Sequence, residues 1–121
     1  MTIVRVELAP EFMLGDDVVL LAMDGAGIAT FVAALREAER QGSWQLQLGD
    51  VIHEFLIQAD EADVDLYDAR VVWRLDAAKA AEIIENLDIL GSSDRPGHQY
   101  VDISKPTDTL VLSRDEYVRK S

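Results

Sequence analysis

IATFVAAL (residues 28–35) and AAEIIENL (residues 80–87) decide how this chain folds. In the first, Ile28, Phe31, Val32 and Leu35 recur at i, i+3, i+4 and i+7, the single apolar stripe of an amphipathic helix. In the second, Ala80, Ile83, Ile84 and Leu87 hold the same four places at an offset of 52. The stripes predict helices over residues 26–40 and 78–90. Asp24 and Asp76 stand at equivalent points ahead of them, where a carboxylate can accept from free backbone N–H groups. Gly42 offers the first helix its stop.

Outward from the helices the match continues. VVLLAM (18–23) is a short apolar run bracketed by turn residues, which reads as a central strand, and VVWRLD (71–76) leads into the second helix in the same way. Downstream, WQLQL alternates, Gly49-Asp50 offers a two-residue turn with glycine first, and VIHEFLIQ returns antiparallel. After GSSDRPG come HQYVDI, a looser turn through Lys105 and Pro106, and TLVLSRDEY. This last segment sets against EFLIQADEA at an offset of 55, matching Asp60-Glu61 to Asp115-Glu116. TIVRVEL (2–8) alternates Val4, Val6 and Leu8 with Arg5 and Glu7, a half-buried strand ended by Pro10.

The chain thus reads as one domain, residues 1–121, holding two β-α-β-β units over residues 18–63 and 71–117. A helix with only one apolar stripe must lie on a sheet. The expected class is α+β: an antiparallel sheet of about six or seven strands with both helices on one face, side by side about a pseudo-twofold axis. VDLYDARVVWRL (64–75) is expected to bridge the halves.

Composition narrows the chemistry. With 49% hydrophobic and 28% charged residues, the low hydrophobicity of disordered chains is absent. The chain has no cysteine, so disulfides, thiolate metal sites and cysteine nucleophiles are excluded. No basic flank precedes a long apolar run at the N-terminus, and no apolar segment is long enough to span a membrane, so a cytoplasmic protein without membrane association is expected. The formal net charge of −12 repels phosphate backbones, which argues against nucleic acid. It suits either simple solubility or a basic protein partner.

The candidate chemical groups are few. On a strand, His98, Tyr100 and Asp102 project to one face while Gln99, Val101 and Ile103 project to the other. One imidazole, one phenol and one carboxylate in an open row make a partner-facing surface better than a catalytic or metal centre, for which convergent ligands and a pocket are needed. His53 shares its strand face with Val51, Phe55 and Ile57 and is expected in the core. The serines have no spaced histidine and acid, so nucleophilic hydrolysis is unsupported. DGAG (24–27) has the position of a phosphate loop without its lysine or full glycine pattern, so its glycines are expected to shape the strand-to-helix turn. DEADVDLYD concentrates Asp60, Glu61, Asp63, Asp65 and Asp68 but lacks the glycine and terminal bidentate acid of a calcium loop. It reads as a negative patch that steers a basic protein to the surface. No catalytic residue, cofactor or metal is expected.

PGHQYVDI followed by TLVLSRDEY resembles the C-terminal signature of a family of small bacterial proteins classed among predicted immunity proteins of polymorphic toxin systems. The likeness rests on Gly97, His98, Gln99, Tyr100, Asp102, Ser113, Glu116 and Tyr117 and covers about 25 residues, with a looser match in the strand and helix before them. It implies an α+β protein that binds and neutralises a cognate toxin without catalysis. Two other readings stand beside it: a small enzyme or ligand-binding domain using the His98, Tyr100 and Asp102 row, and a structural homodimer joined through an exposed sheet edge.

Overall fold

A computed structural model describes residues 2–13 and 15–116 of the chain. The elements run β1 (Val4–Met13), β2 (Asp16–Met23), α1 (Gly25–Gln41), β3 (Ser43–Leu48), β4 (Val51–Ile57), β5 (Ala62–Tyr67), β6 (Arg70–Leu75), α2 (Ala77–Ser92), β7 (Gly97–Asp102) and β8 (Thr109–Arg114). The class is α+β, and the duplicated β-α-β-β units are present, each preceded by one more strand. The two helices lie within two residues of their predicted bounds.

Local chemistry accounts for the helix ends. Asp24 Oδ1 accepts from the Gly27 N–H at 2.7 Å, and Asp76 Oδ1 accepts from the Lys79 N–H at 2.7 Å. Both are the expected caps. Gly42 closes α1 with φ 87, its N–H donating to the Ala38 carbonyl. In the DGAG turn a Cβ on Gly27 would lie 1.9 Å from the Ile3 carbonyl oxygen, so this glycine permits a close backbone approach, as its place in the turn predicts.

The strands form two four-stranded sheets, β1-β2-β8-β7 and β3-β4-β6-β5, rather than the one sheet expected. Each sheet is a pair of antiparallel hairpins joined by a central parallel pair, β2 with β8 and β4 with β6. The units exchange hairpins: the first hairpin of one unit joins the last hairpin of the other. Segment 64–75 therefore makes the β5–β6 hairpin within one sheet instead of a bridge between halves.

Register shows how far the duplication extends. Val4 faces Met23 as Ala62 faces Leu75, and Ser43 faces Leu56 as His98 faces Ser113. In the parallel pairs, Val19 faces Leu110 where Val71 faces His53, so β4 and β8 match at an offset of 57 (110 − 53) instead of 55. Asp115 N–H donates to Met23 as Gln58 N–H donates to Leu75. Asp115 is thus the counterpart of Gln58, and the two Asp-Glu pairs are not equivalent positions. Tyr117, the last residue of the second predicted unit, lies outside the described residues.

One hydrophobic core runs through both halves. Leu21 and Met23 of β2, Phe31 and Leu35 of α1, Phe55 and Trp73 of β4 and β6, Ile83 and Leu87 of α2, and Leu110 and Leu112 of β8 all belong to it. A smaller cluster of Ala9, Val18, Leu20, Ala22 and Val111 occupies the other face of the first sheet. That is why β2 is buried on both faces and reads as a continuous apolar run.

Candidate functional site

β7 is an edge strand whose inner side packs on α2, so period-two alternation divides its side chains cleanly. Val101 and Ile103 are buried, while His98, Tyr100 and Asp102 share the exposed face as predicted. The ladder sets His98 beside Ser113, Tyr100 beside Val111 and Asp102 beside Thr109. Behind the loop that follows β8, Glu116 folds back onto this row. Its carboxylate lies 3.1 and 3.2 Å from His98 Nδ1, and it accepts from the Ser113 hydroxyl at 3.1 Å. The Tyr100 ring meets the imidazole edge-on at 5.2 Å.

This cluster contains serine, histidine and acid in the wrong order for a nucleophilic relay. A general base must stand between hydroxyl and carboxylate, whereas here Ser113 donates directly to the acid and the imidazole approaches the same acid from another side. What the arrangement can do is hold His98 and Tyr100 in fixed orientations on an open surface. Glu116 lies in the TLVLSRDEY segment singled out in the sequence, but this contact has no local sequence signal, because it depends on the turn at Asp115, where φ is 62.

The acids of DEADVDLYD lie along β5 and its two flanking turns. Asp65 is tied to Arg74, whose Nε donates to Oδ2 at 2.8 Å, and this hydrogen bond raises the guanidinium pKa further. Asp60, Glu61, Asp63, Asp68 and Asp102 form no ion pair among the described residues. The outer edge of β5 is covered by residues 103–105: Val64 N–H donates to the Lys105 carbonyl and Ser104 N–H to the Ala62 carbonyl, both at 2.8 Å. The acidic strand β5 therefore meets the segment that follows Asp102 at the end of β7.

Tertiary structure adds acids that the sequence reading did not single out. The β1–β2 turn and the β7–β8 loop flank a depression of about 400 Å³ lined by Asp16, Asp17 and Asp108. These residues are scattered in sequence, and no local signal joins them. Among the described residues, no group of three or more His, Cys, Asp or Glu side chains is placed to hold a metal ion. No helix among them is long and apolar enough to cross a membrane.

His53 is in the core, as its strand parity predicts. It is 1% exposed, stacked beside Trp73 with Phe31 edge-on, and its Nδ1 accepts from Trp73 Nε1 at 3.4 Å. Its Nε2 is buried without a partner among the described residues. Burial pushes its pKa down to about 4, so the ring is neutral near pH 7.

No family model matches the chain, and no curated protein matches it. Among solved structures it is similar to Drosophila Suppressor of Fused, with a TM-score of 0.53 and 8% sequence identity. The likeness is one of fold. It covers 82% of this chain and 24% of that one, so this chain spans about a quarter of that protein's length.

Proposed function

We propose that this chain is a non-catalytic, acidic protein-binding module of immunity type, covering a basic site on a cognate toxin in the cytoplasm. The observation that carries the reading is the junction of β5 with residues 103–105, which brings the strand of Asp63 and Asp65 against the segment that follows Asp102. Lys105 is the lone lysine of that junction, facing Asp63 in an isolated bridge. Asp16, Asp17 and Asp108 extend the surface, and the net charge of −12 favours encounter with a cation-rich partner. The resemblance of GHQYVD and LVLSRDEY to predicted immunity proteins supports the same role. The Ser113, Glu116 and His98 geometry, in which no imidazole stands between the buried hydroxyl and the carboxylate, favours binding over catalysis.

The test begins with co-purification of a partner and measurement of its association rate. Association should slow as salt rises, because the Debye length is only about 8 Å at physiological ionic strength, while dissociation should change less. Asp63→Lys with Asp68→Lys should slow association and leave thermal stability nearly unchanged, since neither acid is ion-paired among the described residues. Asp65 is a poorer choice because its reversal also frees Arg74. An association rate indifferent to both salt and reversal would make the acidity a solubility device. One equivalent of bound metal in the purified protein, lost in His98→Gln, would instead favour an enzyme or ligand-binding role for the β7 row.

A further inference from the structure

Strands at the ends of a sheet leave a row of backbone N–H and C=O groups unpaired, and folded proteins block such rows with charge, proline, bulges or a covering segment. Three of the four end strands here are blocked in these ways. β1 carries Pro10 and a register break between Ala9 and Met13, with Glu11 at φ 52. β5 is covered by residues 103–105, and β7 presents His98 and Asp102. β3 differs. Its sequence, SWQLQL, has no charge, no proline and an unbroken register with β4.

The ladder determines which groups of β3 face outward. Ile57 N–H donates to the Gly42 carbonyl, and Ile52 N–H donates to Ala69 on the β6 side. The pair Gln47 with Ile52 is therefore of the non-bonded kind, and by alternation the backbone groups of Ser43, Gln45 and Gln47 point away from β4. The side chains sort into two rows. Trp44 and Leu46 lie opposite Phe55 and His53 on the core side, while Ser43, Gln45 and Gln47 lie on the other. Trp44 remains 39% exposed.

We infer that β3 is a self-association edge, pairing antiparallel with β3 of a second copy about a twofold axis through Gln45 and perpendicular to the sheet. In this register Gln45 meets the second copy's Gln45 and Ser43 meets the second copy's Gln47, so every outward N–H and C=O of the three finds a partner. Trp44 lies across from the second copy's Leu46, apolar against apolar on the core side. The rows match because a perpendicular twofold keeps each residue on its own side of the sheet. In a chain of net charge −12, an uncharged edge is where two copies can approach. A basic partner's strand would set its cations against serine and glutamine, with no carboxylate in the facing row. A six-residue edge buries less than a standard interface, so the dimer is concentration dependent.

Sedimentation velocity on the full chain over a concentration series tests this. The wild type should pass from monomer to a species of twice its mass, and added salt should favour the dimer by screening repulsion between acidic copies. Gln45→Glu sets like charges opposite each other, next to Glu54, and should leave only monomer. Gln45→Pro removes an N–H that β4 does not use and should do the same with unchanged circular dichroism. If that variant fails to fold, Gln45→Glu decides. Gln45→Thr should keep the dimer. A wild type that stays monomeric throughout, or a dimer that survives Gln45→Glu or a folded Gln45→Pro, overturns the inference. Salt acts here with the opposite sign to its effect on a basic partner, so the two proposals fail separately.

Discussion

At the scale of single residues, His53 couples the core to pH. Its folded pKa of about 4 lies below the ordinary value of 6.5, so protonation favours the unfolded chain. The contribution is present in full above pH 6.5 and is lost as pH falls toward 4. By pH 5 the loss should be about 2 kcal/mol, at 1.36 kcal/mol for each unit between the two pKa values. Urea unfolding of the wild type and of His53→Phe at pH 7 and pH 5 checks it. The variant should lose less stability between the two, although it starts lower because the Trp73 N–H loses its acceptor. A difference unchanged by the substitution would assign the acid sensitivity to carboxylates instead. Strand parity revealed that His53 is buried. That its Nδ1 meets Trp73 was not legible, because the two residues lie on strands whose parallel pairing has no local sequence signal.

Among the elements, the helices show what duplication preserved and what it changed. Leu35 and Leu87 occupy equivalent places and are both 0% exposed. Leu35→Ala and Leu87→Ala should each cost roughly 2 to 5 kcal/mol, read as a fall in the urea midpoint. The helix ends have diverged. α1 stops at Gly42, but α2 ends at Ser93 in extended conformation, which leaves carbonyls without the left-handed cap. Arg114 supplies the missing donors: Nη1 donates to the carbonyls of Leu90 at 3.0 Å and Gly91 at 3.3 Å, and also to Ser93. The guanidinium packs over Gly25, where an added Cβ would come within 2.7 Å of it. Arg114→Ala should therefore cost about 1–2 kcal/mol through the exposed helix end, while Arg95→Ala in the neighbouring loop should cost little. Equal midpoints for the two variants would remove Arg114 from that role.

Over the whole molecule, the pseudo-twofold axis passes between the helices at Arg36 and Asp88. These residues are 52 apart, the helix offset, and Arg36 Nη2 donates to Asp88 Oδ2 at 2.9 Å. In a symmetric dimer of identical units this contact would join like to like, whereas two diverged units in one chain make it complementary. Two depressions of about 680 and 480 Å³ flank the pair, one lined by Ala29, Val32, Ala33 and Arg36, the other by Ala81, Ile84, Glu85 and Asp88. Because both ends of the pair are more than half exposed, a double-mutant cycle of Arg36→Ala and Asp88→Ala should give a coupling of no more than about 1 kcal/mol. A larger value would make the bridge a fold determinant. The sequence by itself determined the helices, their N-terminal caps, the β3–β4 and β7–β8 hairpins, the buried histidine and the exposed row on β7, because each follows from periodicity or turn chemistry within one segment. Only the tertiary structure decided that hairpins exchange between units, that two mixed sheets form instead of one, and that the edge of β5 is covered by residues 103–105. Those outcomes depend on contacts between strands distant in the chain, and an apolar strand pattern fits a parallel neighbour as well as an antiparallel one.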